Sequence, residues 1–253
     1  PVICKPIEHG AAVVIHSLTK YIGGHGTAVA GSIVDSGNFD WTVDPKRQPL
    51  FNEPDASYGG VIWGKVVPEL TGANVPFAVR ARVCLLRDLG SALAPDNAFA
   101  IIQGLETVAL RMKQHCENAE KTLEFLKKHK EVTKVIYSTE HDKHISDRAK
   151  KYLKGGNGPM IGIELKGGIE AGKKFIESLK MFYHVANIGD ARSLAIHPAS
   201  TTHSQLNEKE LAASGVTQSY VRLCIGIEHI DDIIEDLDQA LNKSSKGNLK
   251  AVS

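Results

Sequence analysis

The chain has 253 residues, of which 42% are apolar and 23% are charged, and its net charge is +1. This balance is typical of a globular protein with one large or two modest cores, and it argues against nucleic acid as a partner. No apolar run approaches the length of a membrane span, so we expect no membrane partner. The four cysteines, Cys4, Cys84, Cys116 and Cys224, form no CxxC pair, which argues against a zinc site and fits a reducing cytoplasm.

Two short apolar runs open the chain. Residues 11–15 (AAVVI) are rich in β-branched side chains and predict a strand buried on both faces, as in a parallel sheet. Residues 29–34 predict a second strand, which ends at the turn signal DSGN of residues 35–38. Residues 41–76 contain five prolines and predict a long loop, a kind of segment that is often functional.

A long amphipathic helix is predicted after Pro95, because apolar residues recur at helical spacing from position 98 to position 126. Strands are predicted over residues 132–137, 160–165 and 220–227, and helices over residues 171–181 and 230–241. The tail from Ser244 is polar, and we expect it to fray. The alternation of strands and helices predicts an α/β fold with a domain boundary near residue 130.

The stretch HSLTKYIGGHG of residues 16–26 places Lys20 at the carboxyl end of the first predicted strand, where open α/β sheets bind ligands. A lysine amine can form a Schiff base with an aldehyde cofactor, and the hydroxyls of Ser17 and Thr19 can point to one side and bind a phosphate. From the spacing alone, a surface lysine followed by a flexible glycine loop stays equally open. The stretch has the glycine spacing of neither a dinucleotide fingerprint nor a Walker loop.

Arg222 interrupts an otherwise apolar strand, on the face opposite Val221 and Leu223. Its guanidinium fork suits a carboxylate ligand, and a structural salt bridge is the alternative. Asp190 and Arg192 are either site residues or a local ion pair, and the sequence favours the pair slightly.

The pattern His-x-x-His at His141 and His144 lacks further metal ligands. It therefore predicts a solvated loop, and we expect no metal site. His25 lies in the glycine-rich stretch after Lys20, and the sequence leaves open whether it faces a ligand or only the loop.

HSLTKYIGGHG resembles the cofactor-lysine signature of the Cys/Met-metabolism family of pyridoxal-phosphate enzymes. Later segments resemble the family in the same order: LRDLGSALAPDNAF (86–99), GLETVALRM (104–112), PMIGIELKGG (159–168), HVANIGDARSLAIHPASTTH (184–203) and YVRLCIGIEHIDDIIEDLDQAL (220–241). The segment from Asn187 to His203 is most similar to the O-acetylhomoserine sulfhydrylases, because the γ-synthases and lyases tend to have a Ser-Leu-Gly-Gly segment there. One departure is Ala12, where the family signature usually has Asp or Gln.

The resemblance implies a fold-type-I transferase, similar to aspartate aminotransferase. Residues 1–130 would form the C-terminal part of the large cofactor domain, and residues 131–253 the smaller α/β domain. Lys20 would hold pyridoxal 5'-phosphate covalently, Ser17 and Thr19 would bind its phosphate, and Arg222 and Asn187 would bind the substrate α-carboxylate. The implied reaction is γ-replacement on O-acetylhomoserine by sulfide or a thiol, which gives homocysteine or methionine plus acetate.

Alternatives within the family are cystathionine γ-synthase and the methionine or cystathionine γ-lyases. An alternative of another class is a non-catalytic fragment, because family chains extend upstream and carry further cofactor contacts there. We therefore expect the N-terminal part of the family chain to be missing, and a sheet edge to be exposed. The resemblance also implies a homo-oligomer, a dimer of dimers, with an amino acid and a sulfur donor as its small-molecule partners.

Overall fold

The computed structural model describes residues 1–245, and within them no helix has the length and apolar character needed to cross a membrane. The chain divides into two compact units. The first comprises Pro1, Lys5–Leu18 and Val29–Ala100, and the second comprises Val2–Cys4, Thr19–Ala28 and the chain from Ile101 onward. The predicted long helix buries Leu123 and Leu126 in the core of the second unit. The assignment of residues 1–130 to a cofactor domain stays a prediction.

The first unit contains a two-stranded antiparallel sheet. Strand β1 (Val13–Ser17) pairs with β2 (Gly31–Asp35), with Val13 opposite Asp35 and Ser17 opposite Gly31. The expectation of a parallel strand buried on both faces is wrong, since Ile15 is 72% exposed. Within the described residues β1 and β2 each have one neighbouring strand, so the ribbon has the unpaired sheet edge that we expect.

The rest of the first unit is helical around an aromatic core. The rings of Trp41 and Phe51 lie 4.5 Å apart, and those of Trp41 and Phe77 lie 5.3 Å apart. Residues 41–76 contain short helices, one of which runs through Pro68. The prediction of a continuous loop from their prolines is therefore wrong. The helices are α1 (Pro49–Asn52), α2 (Trp63–Thr71), α3 (Pro76–Arg80) and α4 (Arg87–Leu89), with 3₁₀ turns at Pro6–His9 and Ala56–Tyr58 and a π-helical segment at Ala81–Leu86.

The second unit is built on a five-stranded mixed sheet in the order β3-β4-β7-β6-β5. Neighbouring strands are antiparallel except for the parallel pair β5 and β6. The predicted strands at 132–137, 160–165 and 220–227 are all present, each within a few residues of its expected end. The strands are β3 (Val132–Ile136), β4 (Met160–Leu165), β5 (Tyr183–His184), β6 (Leu194–Ile196) and β7 (Tyr220–Cys224).

One face of this sheet is covered by helices, and the predicted long helix is present as α5 (Pro95–Lys128). The core side is formed by alternate residues of β4 and β7, among them Ile163 and Val221, which are both fully buried. Arg222 lies on the opposite face of β7, as its alternation predicts. The other helices are α6 (Lys143–Tyr152), α7 (Gly168–Ser178), α8 (Glu208–Ala213) and α9 (Ile230–Ser245), with a 3₁₀ turn at Pro198–Ser200.

The tail is expected to fray from Ser244, but helix α9 continues through Ser245. Ser244 is buried in the last turn of α9, where its hydroxyl donates to the Leu241 carbonyl at 2.7 Å. The rest of the predicted tail, residues 246–253, lies outside the described residues.

Candidate functional site

Lys20 lies in the turn that follows β1, within the second unit. The turn is tight, because the Gly24 N–H donates to the Lys20 carbonyl at 2.7 Å. The half-buried Lys20 side chain crosses to a segment 167 positions later, where its Nζ donates to Oδ1 of Asn187 at 2.5 Å. The amine is therefore oriented by a neutral amide and is not neutralised by a carboxylate at this contact.

Arg222, on strand β7, also contacts Asn187. Its guanidinium donates through Nη2 to the main-chain carbonyl of Asn187 at 3.2 Å. Among residues 1–245 no carboxylate forms an ion pair with Arg222, so the salt-bridge alternative has no partner there. Three of the five predicted site residues, Lys20, Asn187 and Arg222, are thus joined through Asn187.

Gly189 allows the segment after Asn187 to lie directly on the main chain of Lys20. Its φ is +80°, and a Cβ there would stand 2.5 Å from the Tyr21 nitrogen and 2.8 Å from the Lys20 Cα. These neighbours are main-chain atoms, which cannot turn aside as a flexible side chain can. A second link follows, since the Ala191 N–H donates to the Gly24 carbonyl at 2.8 Å.

Tyr21, which the sequence reasoning missed, attaches the lysine turn to β7. Its hydroxyl lies 3.2 Å from Sγ of Cys224, two positions after Arg222 on the same face of the strand. Its ring meets the buried His115 ring edge-to-face at 5.5 Å. Burial is the main reason why the pKa of the Tyr21 phenol is raised, so the hydroxyl stays protonated and able to donate. The signal was available, because Tyr21 directly follows Lys20 in the quoted motif.

Ser17 and Thr19, the predicted phosphate ligands, belong to different units. Ser17 is the exposed last residue of β1 in the first unit, and Thr19 is half-buried in the turn that opens the second. Their phosphate role stays a prediction. His25, which the sequence left open, is exposed, and its Nδ1 lies 2.7 Å from the Gly23 carbonyl.

Asp190 and Arg192 form the ion pair that the sequence favoured, with Nη2 of Arg192 3.1 Å from Oδ2 of Asp190. Burial pushes the pKa of the Asp190 carboxyl upward, but the hydrogen bonds and charge of Arg192 together hold that pKa below its usual value. The guanidinium also lies over the ring of Tyr183, 4.6 Å from its centroid. Both side chains therefore serve local structure next to Gly189.

The two histidines of His-x-x-His have different surroundings. His141 precedes α6, whereas His144 lies inside α6, so the predicted solvated loop is wrong for His144. The helix begins there because Asp142 caps it, its side chain accepting from the Ile145 N–H at 3.1 Å. Among the described residues no group of three or more His, Cys, Asp or Glu side chains is arranged to hold a metal ion.

The site combines an amine on a half-buried lysine, an amide, and an arginine that no described carboxylate pairs with. This combination suits a ligand that offers a carbonyl carbon and a carboxylate. On an α/β scaffold these features are those of the enzymes that bind a ligand covalently through lysine. The chain belongs to the family described as "Cys/Met metabolism PLP-dependent enzyme", whose sequence model matches residues 1–242.

Two curated relatives are similar over almost all of the chain. An O-acetyl-L-homoserine sulfhydrylase of Leptospira meyeri is 48% identical over 246 residues, which are 95% of this chain and 55% of that protein. A homocysteine synthase of Schizosaccharomyces pombe is 45% identical over 240 residues, 94% of this chain and 54% of that protein. The chain therefore spans about half the length of the curated relatives that it matches.

Two solved structures confirm the predicted fold type. A Campylobacter jejuni protein assigned as an O-acetylhomoserine (thiol)-lyase, which contains a pyridoxyl-lysine monophosphate, matches with a TM-score of 0.83 at 39% identity, covering 95% of this chain and 56% of that one. A cystathionine gamma synthase of Xanthomonas oryzae, in complex with aminoacrylate and cysteine, matches with a TM-score of 0.72 at 30% identity, covering 97% and 54%. The family and fold-type-I predictions made from the sequence are both confirmed.

Proposed function

We propose that this chain carries the lysine and the carboxylate-binding arginine of a pyridoxal-phosphate-dependent site for γ-replacement on O-acetylhomoserine. Sulfide or a thiol would displace acetate and give homocysteine or methionine. The observation that carries the proposal is Asn187, whose side chain binds Lys20 and whose main chain binds Arg222. The names of the relatives and the higher TM-score of the thiol-lyase structure favour this reaction over the alternatives.

The residues present fit the cofactor at the lysine. Lys20 offers a primary amine for covalent attachment. Its hydrogen-bond partner is the neutral amide of Asn187, which releases the amine more easily than a carboxylate would. Gly189 leaves no side chain between the lysine turn and the segment that carries Asn187. When bound, pyridoxal phosphate supplies an electron sink that the side chains of a protein lack.

Each residue has a distinct proposed task. The guanidinium of Arg222 holds the substrate α-carboxylate with two parallel N–H donors. Nδ2 of Asn187 donates to the same carboxylate, while its Oδ1 orients the lysine amine. Lys20 holds and moves the α-proton at Nζ, and it is the only residue here to which we assign proton transfer. Ser17 and Thr19 bind the phosphate through their hydroxyls and neighbouring N–H groups.

The second candidate is cystathionine γ-synthase, which the likeness to the Xanthomonas oryzae structure favours. A methionine or cystathionine γ-lyase would use the same lysine and arginine but would release a keto acid and ammonia. For the whole protein we propose a homo-oligomer, a dimer of dimers, in the cytoplasm. The support is the family membership and, for the compartment, the scattered free cysteines.

The first test is attachment of the cofactor. The purified chain is incubated with pyridoxal phosphate, its visible spectrum is recorded, and borohydride is added before peptide mass mapping. We expect a new absorption band and a reduced adduct on Lys20, and neither in Lys20→Ala. Lys113→Ala, an exposed position on α5, is the matched control and keeps both. A chain that gains no adduct on Lys20 would be the non-catalytic fragment.

Product analysis then separates the reactions. With O-acetylhomoserine and sulfide, γ-replacement gives equal amounts of homocysteine and acetate. A lyase forms keto acid and ammonia without sulfide, and a cystathionine γ-synthase requires cysteine as the acceptor. Sulfide-independent release of ammonia would overturn the γ-replacement.

A further inference from the structure

Arg111 is a buried cation that has no acidic partner within the described part of the chain. It lies on α5, and only 6% of its surface is exposed. No carboxylate in residues 1–245 pairs with it, although a buried charge is costly unless other groups compensate it. Burial lowers the pKa of the guanidinium, but from so high a starting value that the group stays charged. The compensation has to come from main-chain dipoles.

These dipoles belong to the turn that carries Lys20. Nη1 of Arg111 donates to the Tyr21 carbonyl at 2.8 Å, and Nη2 donates to the Ile22 carbonyl at 3.1 Å. Nη2 also donates to the carbonyl of Gly104, about two helical turns away on α5, at 2.6 Å. Nε donates to Oγ1 of Thr107 at 3.0 Å, which fixes the plane of the fork. One guanidinium thus holds the first two carbonyls after Lys20 against the helix.

Two glycines make this contact possible. A Cβ on Gly24 would stand 2.1 Å from Nη1 of Arg111, so any other residue there would push the guanidinium away from its carbonyl acceptors. A Cβ on Gly104 would stand 2.1 Å from the Gly23 carbonyl oxygen, so the turn can touch α5 only with glycine there. The motif GLETVALRM, which contains Gly104 and Arg111, and the glycines after Lys20 are therefore complementary parts of one contact.

We infer that Arg111 is the positioning residue for Lys20. The lysine main chain is held from two sides, by Arg111 through the Tyr21 and Ile22 carbonyls and by the close approach of Gly189 to the Lys20 Cα. The guanidinium touches neither the lysine amine nor Asn187, and it acts through the geometry of the turn. This inference rests on the proposed function, because the position of Lys20 matters for catalysis only if Lys20 holds the cofactor covalently.

The test compares Arg111→Met and Arg111→Lys with the wild-type chain and with Lys113→Met, an exposed lysine on the same helix. Pyridoxal phosphate with borohydride measures the rate of adduct formation on Lys20, and amide hydrogen exchange measures the opening of residues 20–26. Both are recorded at a temperature at which circular dichroism shows every variant folded. We expect trapping at least tenfold slower in Arg111→Met, faster exchange at Gly24, and partial recovery in Arg111→Lys, which keeps the charge but not the fork.

If Arg111→Met does not fold, Thr107→Val replaces it. This variant keeps the guanidinium and removes the hydroxyl that accepts from Nε and donates to the Gly104 carbonyl at 3.3 Å, and we expect trapping a few-fold slower. Trapping at the wild-type rate in a folded variant would overturn the inference, and so would slowing that merely follows the unfolded fraction. Failure of the wild-type chain to label Lys20 would instead count against the proposed function. The exchange experiment still decides the positioning role in that case, because unchanged exchange over residues 20–26 would overturn it.

Discussion

Asn187 accepts a hydrogen bond from Lys20 across 167 positions of the chain, with Oδ1 and Nζ 2.5 Å apart. The same residue accepts from Arg222 through its main-chain carbonyl. The lysine amine and the guanidinium that we propose to bind the carboxylate are therefore linked through one residue. A change at Asn187 is expected to alter both the orientation of the amine and the charge that an incoming carboxylate meets.

Asn187→Asp tests both effects. The new carboxylate still accepts from Lys20, but it holds the ammonium more tightly than the amide does, so we expect pyridoxal phosphate to trap the lysine more slowly than in the wild type. It also places a negative charge beside the substrate carboxylate, and we expect O-acetylhomoserine to bind at least tenfold more weakly, a loss of about 1.4 kcal/mol or more. Spectral titration of the cofactor-loaded protein measures this affinity. Asn187→Ala is the control, because it removes the acceptor without adding charge, and equal affinity in Asn187→Asp and wild type would contradict the prediction.

Arg222→Met tests the carboxylate role. A hydrogen bond to a charged group contributes roughly 1.5–3 kcal/mol, so we expect about tenfold to a hundredfold weaker binding of O-acetylhomoserine. The sharper measurement uses the methyl ester of the substrate, which has no carboxylate charge. The wild type should prefer the free acid, and Arg222→Met should lose that preference. Arg148→Met, at an exposed position of α6, is the matched control and should retain it. A preference that survives in Arg222→Met would assign the carboxylate to another residue.

Gly189→Ala is expected to be more harmful than its backbone angle alone would require. Gly215 has nearly the same φ, +76° against +80°, but nothing lies within 4 Å of the place where its Cβ would stand. Gly215→Ala should therefore cost only the left-handed strain, about 1–2 kcal/mol. Gly189→Ala adds contact with the main chain of Lys20 and Tyr21, so we expect a larger loss in the free energy of unfolding and slower trapping of Lys20. Equal losses in urea unfolding of the two variants would show that the turn can move aside.

Local patterns predicted much of the fold and part of the site. Period-two alternation placed Arg222 opposite the core, because its neighbours Val221 and Leu223 are both fully buried on the other face of the strand. Helical spacing predicted α5, but the apolar residues alone did not mark Arg111, which shares the buried face of that helix with polar residues such as His115 and Asn118. The spacing of lysine and glycines left the role of Lys20 open, and the resemblance of the motif to the family implied it, whereas the contact of Lys20 with Asn187 depends on a fold that joins distant segments.

Two of the wrong predictions, for the burial of β1 and for the loop over residues 41–76, have a common cause. The burial of β1 depends on which strands lie beside it, and apolar composition alone does not show this. The helix α2 forms in a proline-rich segment because Trp63 and Val67 pack in an aromatic core that the local sequence does not reveal. Tertiary packing, acting over tens of residues, decided both cases.

His197 provides the prediction for pH. It is fully buried, with Nε2 2.8 Å from the Gln218 carbonyl and Nδ1 2.8 Å from the Ser200 hydroxyl. Burial is the main cause that lowers its pKa below the ordinary value of 6.5, and the charge of Lys173 adds to this. The folded protein therefore keeps this imidazole neutral in a range of pH where the unfolded chain binds a proton. The contribution of this neutral imidazole to the free energy of unfolding is complete above pH 6.5. It is lost as the pH falls from 6.5 towards the pKa of His197 in the folded protein.

We expect the free energy of unfolding in urea to fall between pH 7.5 and pH 5.5, and to fall less in His197→Gln than in the wild type. His197→Gln should be less stable at pH 7.5, since the amide fills the site less well than the ring that lies against Gly172. The slope should not vanish, because burial lowers the pKa of His115 in the same way. His144→Gln, at an exposed position of α6, should keep the wild-type slope. A His197→Gln variant with the full wild-type slope would show that His197 is not one of the groups that take up protons on unfolding.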